Sequence, residues 1–190
     1  MKRVGLFFGS FNPIHVGHLM LAQYMLNNVD IDEVWLVVSP QNPFKQNTQL
    51  ADARHRVNMA KLATADNDRI KICDIELSLP VPSYTIDTLR ALEQTYDGYE
   101  YSIIMGGDNL EGLPRWKEAD KLMQNYRIIV YPRPGSTPTI PENARIEIVE
   151  APQIDISSTL LRKWIREGKS VMYFTDEKVL EYFSQNNLYI

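Results

Sequence analysis

Cysteine is nearly absent from this chain: Cys73 is the single one among 190 residues. That excludes an internal disulfide and a cysteine-based zinc cluster, fits a reducing compartment, and leaves a small buried hydrophobe as the reading of Cys73. Excess positive charge is missing too. Lys and Arg number 20 against 24 Asp and Glu, a formal net charge of −4, so the electropositive field of a general DNA or RNA binder is absent and any phosphate site must be local. Nor is there a long apolar run. Met1-Lys2-Arg3 leads straight into a short apolar stretch ending at Gly9, too brief to span a membrane and without a signal-peptide cleavage pattern. A cytoplasmic protein with neither membrane nor nucleic acid as partner is expected. No repeat, low-complexity tract or composition shift marks a linker. What is present, 44% hydrophobic and 23% charged residues, is the make-up of one globular domain with a core of two or three layers.

Short runs rich in β-branched and aromatic residues recur at Val4–Phe8, Val34–Val38, Ile70–Cys73, Tyr101–Met105, Arg127–Tyr131 and Arg145–Val149, and read as buried strands. Between them Leu19–Leu26, Ala53–Ala65, Ile86–Thr95 and Trp116–Met123 carry helical period, followed by Ser158–Arg166 and Asp176–Ser184 in a C-terminal helical portion of about residues 157–190. Alternating strands and helices predict an α/β fold: a doubly wound, mostly parallel, Rossmann-like sheet with helices on both faces, in a single domain. Its ligand site would lie beyond the C-terminal strand ends. Two proline-bearing loops, Ser39–Leu50 and Pro132–Pro141, are placed to border it.

The first strand runs into GSFNPIHVGH, Gly9 to His18. Gly9 and Ser10 permit close backbone approach to a ligand, Asn12-Pro13 turns the chain, and Gly17 leaves room beside His18. If a helix begins near Val16, His15 and His18 face the space beyond its N-terminus, where phosphate oxygens meet backbone donors. An ordinary surface or core pair of histidines fits the same letters. Zinc would need a third ligand, and His55 is far along the chain. The Gly-Lys-Ser/Thr ending of a Walker A loop is absent, as is the dinucleotide-binding glycine triplet. Near the other end, DISSTLLR, Asp155 to Arg162, sets Ser157 and Ser158 ahead of a helical pattern with Arg162 about a turn further in. Taken alone it is a serine cap and a solvated arginine; the same geometry can also present a hydroxyl, amides and a guanidinium to one anion.

GSFNPIHVGH resembles the Gly-Ser/Thr-Phe-Asp/Asn-Pro-x-His/Thr-x-x-His signature of the nucleotidyltransferase superfamily, and IleSerSerThr-Leu-Leu-Arg, Ile156 to Arg162, resembles its second signature. The two match in the right order at opposite ends, so the resemblance spans nearly the whole chain. Histidine at position 15 is similar to the bacterial nicotinate mononucleotide adenylyltransferases, whereas threonine there marks phosphopantetheine- and cytidylyl-transferring relatives. Asn12 departs from the aspartate common in bacterial members, which puts any charge role at that position in doubt.

The resemblance implies adenylyl transfer from ATP to nicotinate mononucleotide, giving nicotinate adenine dinucleotide and pyrophosphate, with Mg²⁺ carried on the ATP phosphates and no dedicated metal residues. It implies ATP contacts at Gly9, Ser10, Phe11, His15, His18, Gly106, Asp108, Ile156, Ser157 and Arg162, with His15, His18, Lys45 and Arg162 as catalytic groups. Acceptor contacts fall at Asn12, Tyr84, Thr85, Trp116 and Arg133. Each has an ordinary alternative. In PSYTIDTL, Ser83 or Thr85 serves as a helix cap; Asp108 in IMGGDNL caps a short helix. Trp116 in LPRWKEA belongs to a packing seam, and Lys45 and Arg133 are solvated loop residues. Competing readings are transfer to nicotinamide mononucleotide or phosphopantetheine, and a nucleotide-sensing module without catalysis. Homo-oligomerisation is compatible with all of them.

Overall fold

The computed structural model describes residues 1–40, 50–132, 140–141, 144–152 and 154–190. Six strands run β1 (Lys2–Gly9), β2 (Glu33–Val38), β3 (Ile70–Cys73), β4 (Tyr99–Gly106), β5 (Arg127–Tyr131) and β6 (Ile146–Ile148). Helices α1 (Val16–Asn28), α2 (Ala53–Thr64), α3 (Thr85–Thr95), α4 (Gly107–Leu110), α5 (Ala119–Asn125), α6 (Ser158–Arg166) and α7 (Glu177–Gln185) separate and follow them. The strands lie in the order β3-β2-β1-β4-β5-β6, every neighbouring pair parallel. This is the expected doubly wound α/β sheet.

Helices on both faces bury both sides of each central strand, which is why the strands are apolar throughout rather than alternating. In β2 all six residues are buried. Val34, Leu36 and Val38 enter the core shared with α1, α2, α6 and α7, while Trp35 and Val37 enter the one against α3 and α5. The charged member, Glu33, is opposed by burial but receives Lys2 Nζ at 2.5 Å, Lys71 Nζ at 2.8 Å and Trp35 Nε1 at 2.7 Å, which together hold its carboxyl down at about 2.

The helix expected over Trp116–Met123 begins instead at Ala119. Trp116 closes a 3₁₀ turn, Leu113–Arg115, and Glu118 sits at φ +52°, a left-handed conformation that breaks helical continuity. The other expected elements are present with their ends shifted by a few residues. An unforeseen 3₁₀ turn, Ile75–Ser78, and the short α4 complete the framework.

Strand order reverses between β1 and β4, so a crevice opens beside Gly9 and Gly106 at their C-terminal ends. The chain leaving β1 there has no ladder to join, and its buried carbonyls must find other donors. Ser39 N–H reaches Gly9 O at 3.0 Å. Arg56, 1% exposed, donates from Nη1 to Ser10 O at 2.6 Å and Ser39 O at 2.8 Å, from Nη2 to Pro40 O at 3.1 Å, and from Nε to Ala51 O at 2.9 Å. The C-terminal portion supplies the rest. Arg162 Nη1 bonds Asn12 O at 2.8 Å, Ser158 Oγ bonds Pro13 O at 2.9 Å, and Thr175 Oγ1 bonds Ile14 O at 2.7 Å. In return Val16 N–H donates to Phe174 O at 2.9 Å.

Replacing Arg56 by methionine keeps the apolar stem and strips four partly buried carbonyls of this donor. The expected cost is about 3 kcal/mol or more in urea unfolding. A loss below about 1 kcal/mol would show that these carbonyls find other partners.

Candidate active site

At the reversal point lies a cavity of about 530 Å³, within the range of small-molecule sites. Of the residues singled out from sequence, it gathers Gly9, Ser10, His18, Tyr84, Thr85, Gly106, Asp108 and Trp116 in its wall. Phe11, Asn12, His15, Ile156, Ser157 and Arg162 do not line it. Lys45 and Arg133 lie outside the described residues.

On the β1 side, Phe11 is 1% exposed and holds φ +45°, with its ring edge-on to Phe7 at 5.9 Å and to His18 at 5.0 Å. A left-handed non-glycine residue costs roughly 1–2 kcal/mol, offset here by ring packing. That ring explains Gly9: a Cβ there would stand 2.9 Å from Phe11 Cζ, so glycine is required by the protein's own interior. Gly17 is likewise set by packing, since its Cβ would meet Ile156 Cγ2 at 2.9 Å and His15 Nδ1 at 3.1 Å. The second signature presses on the first at that point.

His15 is the N-cap of α1, and its backbone N–H donates to His18 Nδ1 at 3.2 Å. The two rings stack at 3.7 Å and 25°. Burial lowers His15 to about 4, and burial followed by the proximity of His15 drives His18 well below the usual histidine value. Both imidazoles are therefore neutral near pH 7. With Nδ1 of His18 accepting, its proton resides on Nε2 and is available as a donor.

Arg162 is 5% exposed; beyond Asn12 O it bonds Thr159 Oγ1 at 3.2 Å, while its Nε has no hydrogen-bond partner. Burial lowers its pKa, and no carboxylate pairs with it among the described residues, a setting that favours an anion. Ser157 caps α6 by accepting Leu160 N–H at 3.2 Å. Asn12 Oδ1 accepts from Ala51 N–H at 3.1 Å and Tyr189 O–H at 2.9 Å. A carboxylate would accept the same two bonds, which accounts for the exchange of Asp and Asn here without a change of fold.

The opposite wall is built on α3. Its N-cap is Tyr84, not Ser83 or Thr85. Ser83 Oγ donates instead to Glu76 Oε2 at 3.0 Å, and Thr88 Oγ1 donates to Glu76 Oε1 at 2.7 Å. Glu76, 3% exposed, lines the cavity; no local pattern in the sequence marks it, because its partners lie 7 and 12 residues away. Trp116 is strapped to this helix. Lys117 Nζ bonds Asp87 Oδ2 at 2.7 Å and lies 5.0 Å from the Tyr84 ring centre, and Arg90 grips both oxygens of Glu118 at 2.7 and 2.8 Å. Among the described residues no group of three His, Cys, Asp or Glu is placed to hold a metal ion, and no helix is long and apolar enough to cross a membrane.

Residues 6–164 match the model of the cytidylyltransferase-like family. The chain is 43% identical, over 98% of both sequences, to a Flavobacterium johnsoniae protein named probable nicotinate-nucleotide adenylyltransferase. A Shouchella clausii protein of the same name is 39% identical over 100% of this chain and 97% of its own. In fold the chain is similar to the nicotinic acid mononucleotide adenylyltransferase of Plasmodium falciparum solved in complex with NaAD, with a TM-score of 0.79 and 22% identity over 100% of this chain and 98% of that one.

The depressed histidines link stability to pH. An unfolded histidine titrates near 6.5, so below that value the unfolded chain binds protons that the folded chain refuses. Stability from His15 is complete above about pH 6.5 and is lost as pH falls toward 4. His15 alone should cost about 2 kcal/mol between pH 7 and pH 5. Urea unfolding at the two pH values, with and without His15→Asn, measures this; an unchanged difference in the variant would contradict it.

Proposed function

The chain belongs to the cytidylyltransferase-like family, among its nicotinate-nucleotide adenylyltransferases, and on that premise we propose how its cavity transfers the adenylyl group of ATP to nicotinate mononucleotide. The products are nicotinate adenine dinucleotide and pyrophosphate. The observation that carries the reading is a two-ended cavity: the neutral donor His18 beside Gly9 and Ser10 at one end, and Trp116 strapped beside the start of α3 at the other.

The 5′-phosphate of the acceptor attacks the α-phosphorus of ATP in line. A bond forms between an acceptor phosphate oxygen and that phosphorus, and the bond from the α-phosphorus to the bridging oxygen breaks as pyrophosphate leaves. The acceptor is already anionic near neutral pH, so no enzyme nucleophile is needed. What the protein must supply is alignment of two repelling anions and stabilisation of the departing charge. His18 Nε2–H serves as a fixed donor to phosphate oxygen, desolvated and therefore effective. Arg162 stands behind the motif loop with an unsatisfied Nε, and His15 keeps His18 in the donating tautomer through its backbone amide. Lys45 and Arg133 are assigned to the phosphates and the acceptor respectively on the family resemblance.

The acceptor ring stacks on Trp116, and the amides at Tyr84 and Thr85 receive its carboxylate. Gly106 and Asp108, ending β4, take the adenosine side. Mg²⁺ bound to ATP would neutralise charge on the pyrophosphate. Asp108 at the cavity wall suits an ion that keeps mostly phosphate and water ligands rather than a protein cage. A cytoplasmic location, with neither nucleic acid nor membrane as partner, belongs to the same proposal; the net charge of −4 supports the part that concerns nucleic acid.

Pyrophosphate release should require ATP and acceptor together, and the acid mononucleotide should be used in preference to the amide. Preference for the amide would overturn the acceptor while keeping the chemistry; binding without turnover would overturn catalysis itself. His18→Ala should lower kcat by about 100-fold or more with folding intact, and wild-type rates in that variant would remove His18 from the mechanism.

A further inference from the structure

Four charged side chains line the cavity: Glu76, Asp108, Arg115 and Lys117. Glu76 is engaged by two hydroxyls, and Lys117 is held by Asp87 and the Tyr84 ring. Asp108 belongs to the β4 end of the wall. Arg115 differs: among the described residues its guanidinium has neither an ion pair nor a hydrogen bond, although it faces the cavity beside Trp116.

Its backbone is not loose. Arg115 N–H bonds Gly112 O at 3.0 Å, Trp116 N–H bonds Leu113 O at 3.0 Å, and the Leu113 side chain is fully buried. The straps from Lys117 to Asp87 and from Arg90 to Glu118 fix the far side of the turn on α3. Arg115 Nη2 and Trp116 Nε1 lie 3.7 and 3.9 Å from the position a Cβ would take at Gly112, so the guanidinium and the polar edge of the indole both border that glycine.

We propose that Arg115 is a specificity-determining residue that selects an acceptor ring bearing a carboxylate over one bearing a carboxamide. This rests on the acceptor reading given above. A flat ring lying on Trp116 presents its substituent to a neighbouring cation whose backbone is held, and a planar guanidinium matches a carboxylate with two parallel donors. A carboxamide satisfies only half of that fork. Stacking is indifferent to the substituent, so Trp116 binds both rings, and Arg115 joins the amides at Tyr84 and Thr85 on the carboxylate, where it widens the difference between the two.

The test compares kcat/KM for nicotinate and nicotinamide mononucleotide, and KM for ATP, in wild type, Arg115→Gln and Trp116→Ala. Arg115→Gln should lower kcat/KM for the acid about tenfold or more, change that for the amide less than threefold, and leave KM for ATP unchanged. Trp116→Ala should weaken both acceptors together. Raising salt should narrow the acid/amide ratio in wild type and not in Arg115→Gln. An unaltered acid/amide ratio in Arg115→Gln, or equal loss for both acceptors, overturns the inference. If wild type used neither mononucleotide, the acceptor reading itself would fail first.

Discussion

Everything at the ligand end of this molecule depends on one requirement: the carbonyls of the chain leaving β1 are buried and have no sheet to pair with. A parallel strand that ends inside the protein cannot expose its next residues to water without opening the core. Here Ser10, Asn12, Pro13 and Ile14 give their oxygens to Arg56, Arg162, Ser158 and Thr175 in turn. Three of those four donors come from the last third of the chain. The C-terminal helical portion is thus the other half of the β1–α1 loop, and the two sequence signatures work together because one closes the hydrogen bonds of the other.

The same requirement sets the electrostatics. Two guanidiniums, Arg56 and Arg162, are drawn into the interior by carbonyls rather than by carboxylates, and burial depresses both. Tyr189 lies near them with its hydroxyl on Asn12. A chain of net negative charge thereby concentrates positive charge behind the loop that borders the cavity. The histidines at the loop's end remain neutral, so they bring hydrogen-bond direction rather than charge. At the α3 wall the balance differs: ion pairs hold the wall in place, and Arg115 lines the cavity without one.

Much of this was legible before any coordinates. Two-sided burial makes the central strands apolar throughout, β-branched runs mark the edge strands as well, and their alternation with helical period implied the doubly wound sheet. The motif letters located the cavity. What stayed hidden was tertiary. Arg56 reads as one cation on an amphipathic helix, and nothing local tells of the carbonyls it collects. Glu76 is a single acid in a short turn. The start of α5 was misplaced because the bond from Arg90 to Glu118 accompanies a left-handed residue that local propensity does not foresee. Gly9 and Gly17 are tight positions, and the tightness that the fold itself imposes comes from Phe11, Ile156 and His15, partners no local pattern names. Residue type alone makes Ser83 or Thr85 the cap of α3; the cap is Tyr84, and Ser83 bonds the buried Glu76 carboxylate instead.

The central claim is that this arrangement delivers His18 to the cavity as a neutral imidazole with its proton on Nε2. Nitrogen-15 NMR of the histidine side chains in the ligand-free protein at pH 7 tests it directly. The account predicts an unprotonated Nδ1 and a protonated Nε2 on His18, because Nδ1 accepts the His15 amide and burial excludes the imidazolium. An imidazolium at that pH, or a proton on Nδ1, would contradict it.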